Sequence, residues 1–173
     1  MPKKHTIKIM RQAREAQLVV FRLGGEDYGI EISQVREIIR DREITPMPSQ
    51  PAYVEGVLNV RGIIIPVINM KKRFGLTGDL TSHPHTIIVE SDDGLVGLLV
   101  ETVSEVIRVP RDHIHLAPTV TNGVDNEYLR GICRIGERLL IYLDIKKVIM
   151  QTPMAAGLDP KRQEVKEPFV AAC

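Results

Sequence analysis

Tryptophan is absent from the 173 residues, and aromatic side chains make up only 4% of them. A surface that stacks nucleobases needs aromatic faces, so there is little here to build one from. No charge is in surplus: 23 lysines and arginines stand against 22 aspartates and glutamates, a formal net charge of +1. Nucleic-acid modules normally show a basic excess on one face, so no nucleic-acid partner is expected. Cysteine is scarce, with Cys133 in an apolar segment and Cys173 at the chain end. Neither forms a metal-ligand pair, and reduced thiols of a cytoplasmic protein are the simplest reading. The N-terminal MPKKHTIKIMRQ is basic but has no apolar core of a signal peptide. No run reaches the roughly 18 apolar residues of a membrane helix. The expectation is a soluble cytoplasmic chain with no direct membrane insertion.

Catalytic signatures are equally thin. Gly24-Gly25 is followed by acidic residues, which repel a phosphate instead of cradling it. There is no nucleophile elbow. Two His-x-His pairs, His83/His85 and His113/His115, put imidazoles on one face if extended, but neither has the third ligand that zinc demands. Asp92-Asp93 reads as turn chemistry, and the lysine pairs at 71–72 and 146–147 as solvated helix faces. No catalytic residue, no metal and no cofactor are expected; the chain does not read as an enzyme.

What the sequence does contain is a repeat. GIEISQVREII from Gly29 aligns with GLLVETVSEVI from Gly97, with Gly29/Gly97, Val35/Val103, Glu37/Glu105 and Ile39/Ile107 identical. GVLNVRGIIIPVINMKKRF from Gly56 aligns without a gap on GICRIGERLLIYLDIKKVI from Gly131. The offsets are 97 − 29 = 68 and 131 − 56 = 75, so the second copy holds about seven more residues between its blocks. Two blocks in the same order point to duplication, with repeat units over 18–75 and 86–149.

Within a unit the periodicity is that of strands. LVVFRL, a GGED turn and YGIEI predict a hairpin, and TIIVES, DDG and LVGLLV repeat it. Ser33 is placed to cap a single helical turn through Arg36, with Ser104 near the equivalent position. A short strand near 37–40, a proline-marked loop and strands at about 56–60 and 63–69 follow. Five short strands around one core close most simply into a small barrel. The predicted fold is mostly β: two similar five-stranded barrels packed together, with short helical turns and a short C-terminal helix. The predicted organisation is a flexible extension over 1–15, one domain over 16–151 with two interleaved barrel subdomains, and a flexible tail over 152–173.

The copies differ in one polar cluster. Asn59, Arg61 and Gly62 in the first face Arg134, Gly136 and Glu137 in the second. A buried guanidinium is costly unless paired. Arg61 either pairs with Glu37 to pin barrel to barrel, or stands at the edge of an apolar groove to select a partner.

With Asn59-Val60-Arg61-Gly62, the apolar run Ile63–Ile68 and Lys71–Phe74 in view, the pattern resembles the CheW-like domain family of chemotaxis coupling proteins. FRLGGEDYGIEISQVREI (21–38) and EYLRGI (127–132) fit it as well, so the likeness covers about 18–150. The family often has Asp where Asn69 stands, and an aromatic can occur where Val120 stands. With no receiver domain and no ATP-binding region in the sequence, the pattern fits neither CheV nor CheA. The resemblance implies two SH3-like barrels sharing a hydrophobic core. It implies an adaptor that ties chemoreceptor cytoplasmic tips to the regulatory domain of the histidine kinase CheA, at a membrane-associated array reached through those partners. It implies a receptor groove of Val35, Glu37, Gly56, Asn59, Arg61, Ile87, Gly97 and Val106, and a kinase contact at Thr119 and Val120. In that groove the glycines admit a receptor helix and Arg61 and Glu37 fix its register.

Overall fold

The computed structural model describes residues 14–92, 94–116 and 126–150. The strands are β1 (Glu15–Leu23), β2 (Glu26–Glu31), β3 (Val35–Arg40), β4 (Val54–Val60), β5 (Ile63–Asn69), β6 (His85–Ser91), β7 (Gly94–Val100), β8 (Thr102–Pro110), β9 (Leu129–Ile135) and β10 (Arg138–Leu143). Two short helices, α1 (Met70–Arg73) and α2 (Ile145–Ile149), end the two copies. Each has a matching N-cap: Asn69 accepts from the Lys72 amide and Asp144 from the Lys147 amide. Asn69 thus does the work that Asp144 does in the second copy. β1 begins at Glu15, inside the stretch expected to be a flexible extension.

The ten strands form two five-stranded sheets, ordered β8-β1-β2-β10-β9 and β3-β6-β7-β5-β4. They are not divided at the repeat boundary. The β1–β2 hairpin of the first copy lies in the sheet of β8, β9 and β10, and the β6–β7 hairpin of the second copy lies with β3, β4 and β5. Interleaving is therefore an exchange of hairpins, and the picture of each repeat closing on its own five strands is corrected. The sheets are called barrel A and barrel B below. They are related by a pseudo-two-fold exchange, seen in the parallel pairings that dock each hairpin: Tyr142 opposite Gly29, and Val67 opposite Gly97.

Two local expectations also change. The turn after β2 is a 3-10 turn over Ile32–Gln34 whose N-cap is Glu31, without a side-chain cap bond. Ser33 lies inside it and donates to Glu31. In the second copy β8 runs unbroken through Ser104, whose hydroxyl donates to the Val20 carbonyl.

Alternate residues of the exchanged hairpins face different cores. Leu18, Val20, Cys133, Leu140 and Tyr142 fill barrel A. Leu58, Val60, Ile65, Val67 and Ile88 fill barrel B. Val19, Phe21, Leu23, Ile87, Val89, Leu98 and Val100 face a third cluster between the sheets, joined by both helices, and it is the largest of the three. Through it run Phe21, Tyr28, Phe74 and Tyr128 in sequence, with ring centroids 5.7, 5.8 and 5.7 Å apart. Four of the chain's few aromatic rings thus hold the barrels together.

A buried ion pair marks the crossover from β7 to β8. The Lys71 side chain, 10% exposed, places Nζ 2.6 Å from Glu101 Oε1 and donates to the Asp79 carbonyl at 3.0 Å. The Gly24 amide of the β1–β2 turn donates to the same Glu101 oxygen at 3.1 Å. Burial alone would raise the Glu101 carboxyl, but the Lys71 and Gly24 donors and the Lys71 and Arg22 charges outweigh it and hold the group below its ordinary value.

Two outcomes follow from this architecture. A fragment of 86–149 contains neither barrel complete, so it is expected to show no cooperative melting transition by circular dichroism. Glu101→Gln should destabilise the chain by about 1.5–3 kcal/mol at neutral pH, the scale of hydrogen bonds to a charged group. Because the folded carboxyl is depressed, that stabilisation is present above the ordinary carboxylate range and is lost as pH falls through the lowered value. Denaturant curves of wild type and variant should therefore converge in acid and diverge toward neutrality.

Candidate functional site

Arg61 is answered by a turn. Val60 pairs with Ile63, so Arg61 and Gly62 are the two central residues of the β4–β5 hairpin. Both are left-handed, with φ of 52° and 85°, as a type I′ turn requires. Gly62 takes that conformation freely, whereas Arg61 carries its cost. Asn59 holds the turn, its Oδ1 accepting the Gly62 amide at 3.0 Å. The equivalent turn of the second copy has Gly136 at the Arg61 position, φ 60°, and Glu137 after it outside the left-handed region, so only its first central residue is left-handed. The arginine is therefore kept where glycine is easier.

The turn aims the guanidinium at β3. Nη1 and Nη2 of Arg61 donate to Oε2 and Oε1 of Glu37 at 3.3 and 3.2 Å, a bidentate pair. The Arg61 side chain is 79% exposed and that of Glu37 32%. Both residues belong to barrel B, so the pair joins its two outer regions, β3 and the β4–β5 turn. It does not pin one barrel to the other, and it is not buried.

Beneath the pair lies a depression of about 270 Å³ at that end of barrel B. Val60, Ile65, Ile88 and Leu95 form its apolar floor, and Arg36, Glu37, Arg61 and Ile63 its rim. Consecutive strand residues normally face opposite ways. A register shift between Val35 and Glu37 lets Arg36 and Glu37 line the same depression. Arg36 is held by Glu90 at 3.3 Å. Sequence reasoning missed Arg36, Ile63 and Leu95; the available signal was Ile63, an aliphatic residue set directly after a hairpin turn, 43% exposed.

The remaining predicted groove residues are dispersed. Val35 is half-buried against the shared core. Val106 is exposed on β8, in the other sheet, with Ile38 exposed at the matching place on β3. Three expectations need correction. Ile87 is fully buried between the barrels and presents no surface to a partner. Gly97 is buried in the parallel β5–β7 contact, where a Cβ would stand 2.9 Å from Thr86 Cγ2 and 3.3 Å from Val67 Cγ2. Gly56 is buried under the chain's own loop: a Cβ there would meet the Thr45 carbonyl oxygen at 2.1 Å. What these glycines admit is internal: side-chain methyls at Gly97 and the loop backbone at Gly56. Thr119 and Val120 lie outside the described residues.

A second polar cluster sits in barrel A. Glu31 accepts from the Tyr142 hydroxyl and lies 3.4 and 3.5 Å from Arg111 and Arg130, and Arg130 also donates to Tyr142 at 3.2 Å. Burial would raise the Glu31 carboxyl, but Tyr142 and the two guanidinium groups hold it below its ordinary value. These partners are all internal, which makes the cluster a brace. His83 pairs with Asp41 at 3.1 Å, and His85 is buried. Among the described residues no three His, Cys, Asp or Glu side chains are grouped to hold a metal, and no helix is long and apolar enough to cross a membrane.

Comparison with known proteins agrees with this architecture. The family model described as "CheW-like domain" matches residues 17–152. The chain is 40% identical to the chemotaxis protein CheW of Treponema pallidum over 137 residues, 76% of this chain and 81% of that protein. It is 34% identical to CheW of Klebsiella aerogenes over 141 residues, 80% and 84% of the two chains. The crystal structure of the scaffolding protein TtCheW from Thermoanaerobacter tengcongensis matches with a TM-score of 0.73 and 36% identity, covering 78% of this chain and 92% of that one. With the family model matched over most of the chain and relatives at 34–40% identity, the chain belongs to the CheW-like domain family.

Proposed function

We propose that the chain is the coupling adaptor that ties chemoreceptor tips to the regulatory domain of the histidine kinase CheA. The observation that carries this reading is the exposed Arg61–Glu37 pair over an apolar depression, on a chain of a chemotaxis scaffold family. Apolar floor supplies area, at about 25 cal/mol per Å² removed from water. A guanidinium fixed at the rim supplies selection, since rim charge governs register and partner choice more than affinity. Arg61 retains a left-handed conformation that glycine would adopt at less cost. The exposed pair with Glu37 stabilises the fold only slightly, so recognition is the stronger reason for an arginine here.

The receptor surface then consists of Val35, Glu37, Asn59 and Arg61, with Val106 on the second barrel. Gly56, Ile87 and Gly97 act from beneath by fixing the backbone on which these stand. Thr119 and Val120 remain the kinase-side residues by family resemblance. The role needs no turnover, only simultaneous contact with two proteins.

Arg61→Ala should leave the fold intact and lower stability by less than about 1 kcal/mol, the usual worth of an exposed ion pair. Arg61→Gly should melt above Arg61→Ala, because it also relieves a left-handed penalty of about 1–2 kcal/mol. Both should weaken binding of a receptor signalling-tip fragment by about 2–4 kcal/mol, the scale of an interface hot spot. Calorimetric titration beside thermal unfolding reads both effects, and unchanged receptor affinity would remove Arg61 from the interface. Val120→Lys should reduce kinase co-sedimentation with receptor membranes while receptor affinity stays at the wild-type value. Loss of receptor binding in that variant would assign the loop to the other partner.

A further inference from the structure

The pseudo-two-fold relation pairs each end of barrel B with one of barrel A, and the two ends carrying the β4–β5 and β9–β10 turns differ. Ile65 of barrel B corresponds to Leu140 of barrel A by the repeat alignment, and both are buried in their barrels. Leu95, on the floor of the barrel B depression, corresponds to Asp27, which lies opposite Leu140 in the parallel register. Ile63, on the rim, corresponds to Arg138. Where barrel B has two aliphatic residues, barrel A has an ion pair. Arg138 Nη1 lies 3.2 Å from Asp27 Oδ2, and Nη2 lies 3.0 Å from Glu105, the counterpart of Glu37. Arg22 Nε holds the other Asp27 oxygen at 3.2 Å. The Asp27 side chain is only 8% exposed and lies between two guanidinium groups: Oδ2 accepts a hydrogen bond from Arg138, while buried Oδ1 faces Arg22 as an ion pair without a hydrogen bond.

We propose that the Arg22–Asp27–Arg138 network is a plug: it denies barrel A the apolar socket that barrel B presents, so the chain engages one aliphatic side chain, in one orientation. The occupant of the barrel B socket is an aliphatic side chain on a partner protein, beside a carboxylate. Charge argues for that carboxylate, because Arg61 stands far more exposed on the rim than the Glu37 that pairs with it. An aliphatic side chain entering barrel A at the same place would have to displace Arg138 and strand the buried Asp27, a strong penalty against the wrong end. Asp27 and Arg138 are thus specificity-determining residues that act by exclusion. A duplicated fold needs such a device, since two like sockets would bind two partners and make the scaffold's orientation ambiguous.

The plug rests on the docking role given to barrel B, and a test without either protein partner separates the two. The intact wild-type chain with labelled methyl groups is titrated with isobutanol and followed by NMR. Shifts are expected at Ile63, Ile65, Ile88 and Leu95, with none above background at Ile135 and Leu140. Equal movement at both ends, or movement at barrel A alone, would overturn the plug. Asp27→Leu combined with Arg138→Ile gives barrel A the residues of barrel B, and should bring the Ile135 and Leu140 methyls into motion on the same titration. A variant with an otherwise native methyl spectrum whose Ile135 and Leu140 signals stay still would also overturn it. Should that variant not fold, the wild-type comparison decides. Receptor or kinase binding lost or kept in Arg61→Ala bears on coupling alone and leaves this comparison unchanged.

Discussion

The two exchanged hairpins are buried on both faces, and the rest of the molecule depends on that double burial. β1 and β6 give alternate side chains to a barrel interior and to the layer between the barrels. Removing either hairpin opens two cores at once. The inter-barrel layer, with its row of stacked rings and the Lys71–Glu101 pair at the crossover, fixes how the barrels sit. The end of barrel B is then shaped by rim features: a turn, a bulge and a pair of charges.

Rigidity explains how a strained arginine can serve recognition. A left-handed Arg61 is held by a two-residue hairpin whose strands pair with each other up to Val60 and Ile63, and Asn59 ties the turn from below. The guanidinium is therefore oriented before any partner arrives, which lowers the ordering cost of binding. The bulge before Glu37 does the same for the carboxylate. Barrel A shows the alternative use of similar groups. There Arg138 is drawn over a buried carboxylate and closes the end it stands on.

Much of the fold was legible in the sequence because its signals are local. Alternating apolar residues, Gly-Gly and Asp-Asp-Gly turns and the repeated lysine pairs located nearly every strand and both helices. The exchange of hairpins was not legible, because pairing with one copy or the other satisfies the same apolar pattern, and only long-range register distinguishes them. Ile87 was assigned to the groove by family resemblance alone, and the TIIV run, with three aliphatic residues in succession, offered no alternation to say which face meets solvent. Gly56 and Gly97 announce close approach without saying what approaches, a loop backbone at one and side-chain methyls at the other. Arg61 read as a burial problem because strand spacing alone does not reveal that it occupies a turn. Arg36 was invisible to alternation, since only the bulge brings it to the same side as Glu37.

The order of the strands along the chain has a consequence for biosynthesis. Barrel B is built from β3 to β7, one uninterrupted stretch, whereas barrel A is completed by β8 to β10 around a hairpin made at the start. On a ribosome barrel B closes first, and the β1–β2 hairpin waits with both faces apolar until Arg138–Leu143 has emerged. At about 5–20 residues per second that interval lasts on the order of 5–20 seconds. During it, the β8–β10 segment of a neighbouring nascent chain on the same message is a chemically equivalent mate. Synthesis speed and ribosome spacing on the message therefore bear on whether this scaffold emerges as single chains or as hairpin-swapped pairs.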